Sequence, residues 1–302
     1  MRRFIQIVLI ALALVGSSAP AIDAADSALP PLPPLNDPAT DVQIPGKFIW
    51  VDLFTSDVAA ARKFYGELFG WEWRWVSQRT GNAYGMFYQD GVAIAGVAEV
   101  ESPDPDETYA RWVYYISVED VDAAISGVEG RGGRTMLARH DVPKRGAFAV
   151  LADPEQTPFG VLHSSSGDTE DYKAEVGEWL WVGLYSHDAE AAAEFYSSVF
   201  GYDVFKRDHD TEVIDYVLSS NDYARAGIDQ LPPDYDSHAT WLGYVRVEDV
   251  ASVLERAKTP GAEVLYEPEG RLEGELAILT DPFGTPLGIM RWTYEDVDEA
   301  QP

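Results

Sequence analysis

The sequence predicts an α+β protein built from two tandem units, each containing two β-α-β-β-β modules. Three blocks of sequence recur in the same order. FIWVDLFTSD returns as WLWVGLYSHD, RWVYYISVEDVDAA as TWLGYVRVEDVASV, and VLADPEQTPFGVL as ILTDPFGTPLGIM. The spacing is 131 residues between Trp50 and Trp181 and 128 between Asp153 and Asp281. Recurrence at a nearly constant offset indicates an internal duplication.

The elements of unit one follow from local sequence patterns. Residues 48–54 alternate large apolar residues with small or polar ones, which is typical of a half-buried strand. Asp57 is a suitable N-cap for the helix that follows, and Gly70 is a suitable end for it. The second module begins with WVYYISVEDVDAAISGVEGRGG, again a strand and then a helix. The remaining strands are predicted near 72–77, 83–88, 92–99, 134–138, 147–152 and 159–163.

The first 21 residues are typical of an export signal. Positively charged MRR precedes an apolar run, and Ala19 and Ala21 form a small-residue cleavage pattern. As a helix the apolar run spans roughly 20 Å, which is short of the ~30 Å hydrocarbon core of a bilayer. We therefore expect a cleaved signal, no stable membrane insertion, and a periplasmic or secreted mature protein.

The rest of the chain divides by composition and repeat pattern. Residues 22–46 are rich in proline, which favours an extended, stiff linker. The two units are predicted at 47–164 and 178–294, with a linker at 165–177 and an acidic tail at 295–302. We expect both sheets to close within one chain and not across a dimer. The linker between the units is short, and such a tether raises their effective concentration. Monomer and homodimer both remain open.

Composition excludes several classes of function. The 302 residues are 46% hydrophobic, which is enough for a sizeable core. The absence of cysteine excludes disulfides, thiolate nucleophiles and cysteine-ligated metal centres. A formal net charge of −29 repels phosphate backbones, so we expect no nucleic-acid partner.

The order of these modules and their phrases resembles the vicinal oxygen chelate superfamily of glyoxalases, bleomycin resistance proteins and extradiol dioxygenases. The matching phrases are DVAAARKFYGELFGW after the first strand, VEDVDAA in mid-unit, and DPEQTPFG or DPFGTPLG near each unit's end. The resemblance covers about residues 47–292. It implies that the two modules of each unit curl their sheets into a cup, and that small molecules bind inside it.

The resemblance also implies three metal-ligand positions in each unit. The residues there are Trp50, Val113 and Gly160 in unit one, and Trp181, Leu242 and Gly288 in unit two. Indole, alkyl and hydrogen side chains cannot coordinate a divalent cation, which takes imidazole nitrogen or carboxylate oxygen. We therefore expect no metal at these positions and no other cofactor.

If Trp50 faces the cup, side-chain alternation places Asp52 and Phe54 there as well. Aromatic walls with a few polar groups suit a pocket for a small, partly apolar molecule. The alternative is that these side chains simply fill the cups as core. The predicted ligand-binding residues are Trp50, Asp52, Phe54, Val113, Tyr115, Ser117 and Leu162 in unit one, and Trp181, Tyr185, Leu242, Tyr244, Arg246, Met290 and Trp292 in unit two.

Two charged residues refine this prediction. An inward Asp52 could act as a general base with a raised pKa, and it is the one catalytic candidate. Arg246 could clamp a carboxylate. The alternative for both is an ion pair or a position at the water-exposed rim. His140 and His163 match no metal-ligand spacing.

Three functions remain open from the sequence. The first is an exported, metal-free protein that binds a small molecule in one or both cups. The second is a lyase or dioxygenase-type enzyme with a displaced active site that uses Asp52 or a histidine. The third is a structural or interaction protein whose cups are filled.

Overall fold

The computed structural model describes most of the chain after the predicted signal. The expected signal at 1–21 and acidic tail at 295–302 lie outside the described residues. Within the described part, no helix is long and apolar enough to cross a membrane. The described ranges are 31–79, 82–104, 106–206, 215–232, 238–258, 261–266 and 276–294.

Each unit contains the β-α-β-β-β order twice, as predicted. Unit one consists of β1 (Phe48–Thr55), α1 (Val58–Phe69), β2 (Glu72–Arg79), β3 (Asn82–Gln89), β4 (Val92–Glu99), β5 (Ala110–Ser117), α2 (Val121–Glu129), β6 (Arg134–Val142), β7 (Gly146–Ala152) and β8 (Pro158–Ser164). Unit two consists of β9 (Trp179–Ser186), α3 (Ala189–Phe200), β10 (Asp203–Lys206), β11 (Tyr216–Ser220), β12 (Tyr223–Gln230), β13 (Thr240–Arg246), α4 (Val250–Lys258), β14 (Val264–Tyr266), β15 (Leu276–Thr280) and β16 (Pro286–Met290).

The helix boundaries follow the capping signals in the sequence. The Asp57 carboxylate accepts a hydrogen bond from the Ala60 backbone N–H at 2.9 Å and so satisfies a free donor of the first turn. Gly70 ends α1 with a φ of 78°, a left-handed conformation that favours glycine. Asp188 and Gly201 repeat this arrangement at the two ends of α3.

The two modules of each unit join into one eight-stranded sheet among the described residues. The strand order is β2-β3-β4-β1-β5-β8-β7-β6 in unit one and β10-β11-β12-β9-β13-β16-β15-β14 in unit two. The modules meet at the antiparallel pairs β1–β5 and β9–β13. Each sheet is therefore completed within its own unit, and it stays open with one concave face, the cup.

Alternation along β1 separates the two faces of the sheet as expected. Val51 and Leu53 belong to a hydrophobic core on the helix side, whereas Trp50 and Phe54 pack into a separate cluster on the cup side. The helix-side core is shared by both units, because α1 packs against α4 and α2 packs against α3. The cups therefore face away from the interface between the units.

A buried hydrogen-bond chain crosses this interface. Trp112 Nε1 donates to Tyr65 Oη at 3.0 Å, and Tyr65 Oη donates to Asp281 Oδ2 of unit two at 2.9 Å. The other oxygen of Asp281 accepts the backbone N–H groups of Phe283 and Thr285 at 2.9 and 2.8 Å. One carboxyl thus closes the turn of its own DP phrase and binds a helix of the other unit.

The duplication repeats this chain in the opposite direction. Trp241 Nε1 donates to Tyr196 Oη, and Tyr196 Oη donates to Asp153 Oδ2 of unit one, both at 3.0 Å. Burial raises the pKa of Asp153 to about 6, and the negative charge of Glu155 adds to the effect. Hydrogen bonds from Thr157 and Tyr196 oppose this rise in the pKa but do not cancel it.

The C-terminal part of the proline-rich segment packs against the protein instead of forming a free spacer. Asn36 Nδ2 donates to the Gly167 carbonyl at 2.7 Å, and Thr40 Oγ1 donates to the Asp168 carbonyl at 2.7 Å. The Asp168 carboxylate in turn accepts the Ile44 backbone N–H at 2.6 Å. This segment is therefore fixed beside the linker that follows unit one.

We expect Asp153 to make stability fall as pH rises. A carboxyl with a folded pKa of about 6 and an unfolded pKa of ~3.9 holds its proton more tightly when folded, so its contribution is complete below pH ~4 and lost through pH ~6. The loss is about 3 kcal/mol at most. Asp153→Asn stays neutral at every pH and keeps one of the two oxygens that accept from the Thr157 N–H and from Tyr196 Oη. Urea unfolding at pH 4, 5, 6 and 7 should therefore show a weaker decline in this variant.

Asp120→Asn is the matched control with the opposite sign. Backbone N–H groups of Ala123 and Asp122 lower the pKa of the exposed Asp120 carboxyl. Its stabilising contribution is therefore present above the unfolded pKa and is lost as pH falls. Equal pH slopes for wild type and Asp153→Asn would contradict the assignment of Asp153.

Candidate functional site

A cavity of about 140 Å³ lies in the cup of unit one. Its volume is close to the ~150 Å³ of an apolar protein cavity that holds one benzene molecule. The cavity therefore matches a molecule with a single ring. Among the predicted residues, it is lined by Trp50, Asp52, Phe54, Tyr115 and Leu162.

Two residues predicted for this cup do not line the cavity. Val113 packs within the hydrophobic cluster of the cup, beside the cavity wall. The buried Ser117 hydroxyl donates to Asp168 Oδ2 at 2.5 Å and so fastens the linker after unit one. Neither the backbone alternation nor the repeat could show that Ser117 has this partner, which is distant in sequence.

Asp52 is the acidic group of the cavity wall and is only 8% exposed. Its Oδ1 accepts hydrogen bonds from Tyr84 Oη at 2.6 Å and Trp50 Nε1 at 2.9 Å. Burial raises the pKa of Asp52, while the Tyr84 and Trp50 hydrogen bonds and the Arg145 charge oppose that rise. Asp52 can therefore hold a proton in the cavity or accept one from a ligand.

Gly96 on β4 makes room for this network. A Cβ at that position would lie 1.9 Å from Tyr84 Oη and 2.0 Å from Asp52 Oδ1. Glycine thus permits the tyrosine hydroxyl to reach the carboxylate over the sheet. Tyr84 was not predicted as a site residue, because its partner lies on a strand that the sequence alone does not place beside it.

The residues of the implied metal positions do not fit a metal ion. A Cβ at Gly160 would lie 2.1 Å from the Tyr115 ring, and one at Gly288 would lie 2.2 Å from the Tyr244 ring. A tyrosine ring therefore occupies the space that a ligand side chain would need. Among the described residues, no three His, Asp or Glu side chains gather closely enough to hold a metal ion. That the protein binds no metal ion at these positions stays a prediction.

Arg145 is a cavity-lining cation that the sequence did not single out. It lies in the turn between β6 and β7, and its side chain is buried with 2% exposed. Its guanidinium carbon lies 4.3 Å from the centre of the Trp50 ring, and its Nη2 lies 3.9 Å from Met86 Sδ. Nε and Nη1 have no hydrogen-bond partner among the described residues.

His140 provides an imidazole on the same cavity. Its Nδ1 lies 2.7 Å from the Ala138 carbonyl oxygen. Because a carbonyl oxygen only accepts, this contact assigns the proton to Nδ1 and leaves Nε2 as an acceptor in the neutral ring. The cavity thus combines a carboxyl, an imidazole and a guanidinium, which suits binding of a polar group or proton transfer.

The cup of unit two contains most of its predicted residues. Trp181, Tyr185, Leu242, Tyr244 and Met290 share one hydrophobic cluster on the cup face. The hydroxyls of Tyr185 and Tyr244 lie 2.5 Å apart and so satisfy each other. These residues pack against one another, and their role in ligand binding stays a prediction.

Arg246 is not placed as a free carboxylate clamp in this cup. Its Nη1 donates to the Ala174 carbonyl at 2.7 Å, and its Nε donates to the Trp292 carbonyl at 3.1 Å. The guanidinium also lies 5.0 Å from the centre of the Tyr294 ring. The linker and the segment after β16 thus hold this side chain, and Trp292 itself is 47% exposed.

Asp229 is an acid of unit two that the sequence reasoning missed. It pairs with Tyr185 across β12 and β9, at the position that Ala98 holds in unit one. Burial, followed by the negative charge of Asp215, raises the pKa of Asp229 to about 7. Comparison of the two units position by position would have shown this replacement.

Sequence comparisons agree with this architecture. A family model described as the Glyoxalase/Bleomycin resistance protein/Dioxygenase superfamily matches residues 47–162 and 179–289. The anthracycline biosynthesis protein DnrV of Streptomyces peucetius is 30% identical over 258 residues, covering 82% of this chain and 93% of DnrV. CFP32 of Mycobacterium bovis, provisionally named a glyoxylase, is 29% identical over 245 residues, covering 80% of this chain and 93% of CFP32.

Solved structures share the fold at low sequence identity. The Mn(II)-bound glyoxalase from Novosphingobium aromaticivorans is 17% identical, with a TM-score of 0.54 over 83% of each chain. Homoprotocatechuate 2,3-dioxygenase from Brevibacterium fuscum, in complex with 3,4-dihydroxyphenylacetate, is 14% identical, with a TM-score of 0.55 over 88% of this chain and 87% of the dioxygenase. At these identities the likeness shows the fold alone.

Proposed function

Because this chain belongs to the glyoxalase/bleomycin resistance protein/dioxygenase superfamily, we propose that it binds a small, partly apolar molecule in the cup of unit one without a metal ion. The observation that carries this proposal is the cavity of about 140 Å³ with aromatic walls and a hydrogen-bonded Asp52. A cup filled as core would leave no such space. The export expected from residues 1–21 is part of the same proposal.

The chemistry of the walls supports a ligand with one ring. Phe54, Phe148 and Leu162 supply apolar surface, whereas Asp52 and Arg145 supply polar groups that can orient a ligand. Ligand sites commonly combine a largely apolar lining with a few placed polar groups. The names of two relatives, an anthracycline biosynthesis protein and a glyoxylase, support a small molecule as the partner.

We expect Ala98→Phe to abolish binding by filling the cavity. Ala98 lines the cavity from β4, so a phenyl ring there occupies the space of the ligand. Calorimetric titration with phenol, benzamide and benzoate should show binding by wild type and a loss of affinity of at least about tenfold in the variant. Circular dichroism and thermal unfolding check that the variant is folded.

Val92→Phe is the control for this experiment. Val92 lies on the same strand but is 57% exposed, so the added ring points to solvent and leaves the cavity unchanged. Binding by this variant should equal that of wild type. The proposal fails if no probe binds wild type, or if Ala98→Phe binds the probes as well as wild type does.

We expect the mature protein to contain no stoichiometric metal. The reason is the fit of the residues, since the Tyr115 and Tyr244 rings fill the space of one implied ligand in each unit. The measurement is elemental mass spectrometry of protein recovered from the periplasm or medium, with its N-terminus sequenced. Near-stoichiometric zinc, iron, nickel or manganese would overturn this part, and a retained Met1 would overturn export.

Proton-transfer catalysis is the second candidate function, favoured by Asp52 and His140 lining one cavity. In a lyase-type step, His140 Nε2 would remove a proton from carbon next to a carbonyl group. This predicts faster deuterium exchange at the methyl group of acetophenone, followed by NMR in D2O. Removing one general base typically slows such a step by about 10²–10⁴-fold, so His140→Gln should abolish the effect.

His163→Gln is the control, because His163 binds the Val118 carbonyl through Nδ1 and does not line the cavity. Its exchange rate should equal that of wild type. Exchange in wild type no faster than in buffer would argue against this candidate and leave binding as the function.

A further inference from the structure

We propose that the ligand of unit one is an organic anion with a single ring, whose carboxylate or enolate oxygen binds Arg145. The inference rests on the binding function proposed above and adds the charge of the ligand. The feature that carries it is a buried guanidinium on the cavity wall with two unpartnered nitrogens.

The protein places Arg145 in the cavity wall by a tight turn. The Arg145 backbone N–H donates to the Val142 carbonyl at 3.1 Å, and its carbonyl accepts the Ser165 N–H at 3.1 Å. Gly146 follows with a φ of 120°, and a Cβ there would lie 1.9 Å from the His163 carbonyl oxygen. Glycine is therefore required at the position that fixes the direction of the arginine.

The described protein atoms leave the guanidinium incompletely satisfied. Its contacts are the Trp50 ring, 4.3 Å from the guanidinium carbon, and Met86 Sδ, 3.9 Å from Nη2. Both are weak partners for a cation, and no acidic side chain of the described residues forms an ion pair with Arg145. A buried charge without hydrogen-bonding partners is costly, so an oxyanion in the cavity would supply what is missing.

Asp52 does not supply the hydrogen-bond acceptor that the Arg145 guanidinium lacks. Its Oδ1 is already bound by Tyr84 and Trp50, and it forms no ion pair with Arg145 among the described residues. When protonated, Asp52 can also donate a hydrogen bond to a second oxygen of the ligand. Such a wall distinguishes a carboxylate from the isosteric neutral amide.

The apolar residues of the cavity define the rest of the ligand. Phe54, Phe148, Leu137 and Leu162 surround the polar groups. A flat ring packs well against such walls, while its anionic substituent reaches the guanidinium. A volume of about 140 Å³ limits the apolar part of the ligand to a single ring.

The anion site belongs to unit one alone. Applying the 128-residue offset of the DP phrases, the residue at the position of Arg145 in unit two is Glu273, which lies outside the described residues. Gly183 stands in place of Asp52, and Asp229 stands in place of Ala98. Unit two therefore has no arginine at the position of Arg145. This difference is expected if Arg145 binds a ligand in unit one alone.

The test compares benzoate with its neutral isostere benzamide by calorimetric titration of the mature protein with both units present. Wild type should bind benzoate at least about tenfold tighter, since hydrogen bonds to charged groups contribute that much. Arg145→Gln should remove this preference by lowering only the affinity for benzoate. Arg139→Gln is the control, because Arg139 lies on the same hairpin but pairs with Asp122 and Asp141 at the surface.

A second variant covers the case in which Arg145→Gln fails to fold. Arg145→Met keeps the length of the side chain and removes the unpaired charge. We expect its Tm to equal or exceed that of wild type, and benzoate to raise the Tm of wild type only. A benzoate shift that persists in Arg145→Met would overturn the proposal.

The remaining outcomes separate this inference from the binding function. Equal binding of benzoate and benzamide by wild type would overturn the anion site and leave small-molecule binding standing. Preferred binding of benzylamine would also overturn it and would assign recognition to Asp52. If phenol, benzamide and benzoate all fail to bind, the binding function and the anion site fall together.

Discussion

Two hydrogen bonds from tyrosine to aspartate hold the units in the arrangement on which the site depends. Tyr65 of unit one binds Asp281 of unit two, and Tyr196 of unit two binds Asp153 of unit one. Each aspartate also accepts backbone N–H groups of its own turn, so a single carboxyl connects the local fold to the interface. These bonds lie within the hydrophobic core in which the helix faces of the two units pack together, and both cups lie on the opposite faces of the sheets.

The outward cups are under no such mutual constraint, and the two copies differ there. Asp52 of unit one corresponds to Gly183, and Ala98 corresponds to Asp229. The interface kept its residues because a change in one unit would leave a buried partner unsatisfied in the other. A cup residue has no partner in the other unit, so its replacement alters only the local pocket.

In both units, a tyrosine ring takes the space of a side chain at one implied metal-ligand position. Tyr115 covers Gly160, and Tyr244 covers Gly288. Glycine and tyrosine depend on each other here, because any side chain at the glycine would collide with the ring. In unit one, side-chain donors and acceptors, among them Asp52, His140 and Arg145, line the pocket. This is why the charge of Arg145 has such weight in choosing a ligand.

The sequence by itself determined the duplication, the element order, the helix caps and the faces of the strands, because these depend on local periodicity and on spacing. Combined with the family resemblance, which implied the cup, the strand alternation predicted that Trp50 and Asp52 lie there, and both line the cavity. Only the tertiary structure brought Tyr84 and Arg145 to the cavity and held Arg246 at the linker. The direction of a turn residue and the partner of a side chain depend on how the sheet curls and which distant segment packs on it. Neither the direction of a turn side chain nor its distant partner can therefore be predicted from the local sequence alone.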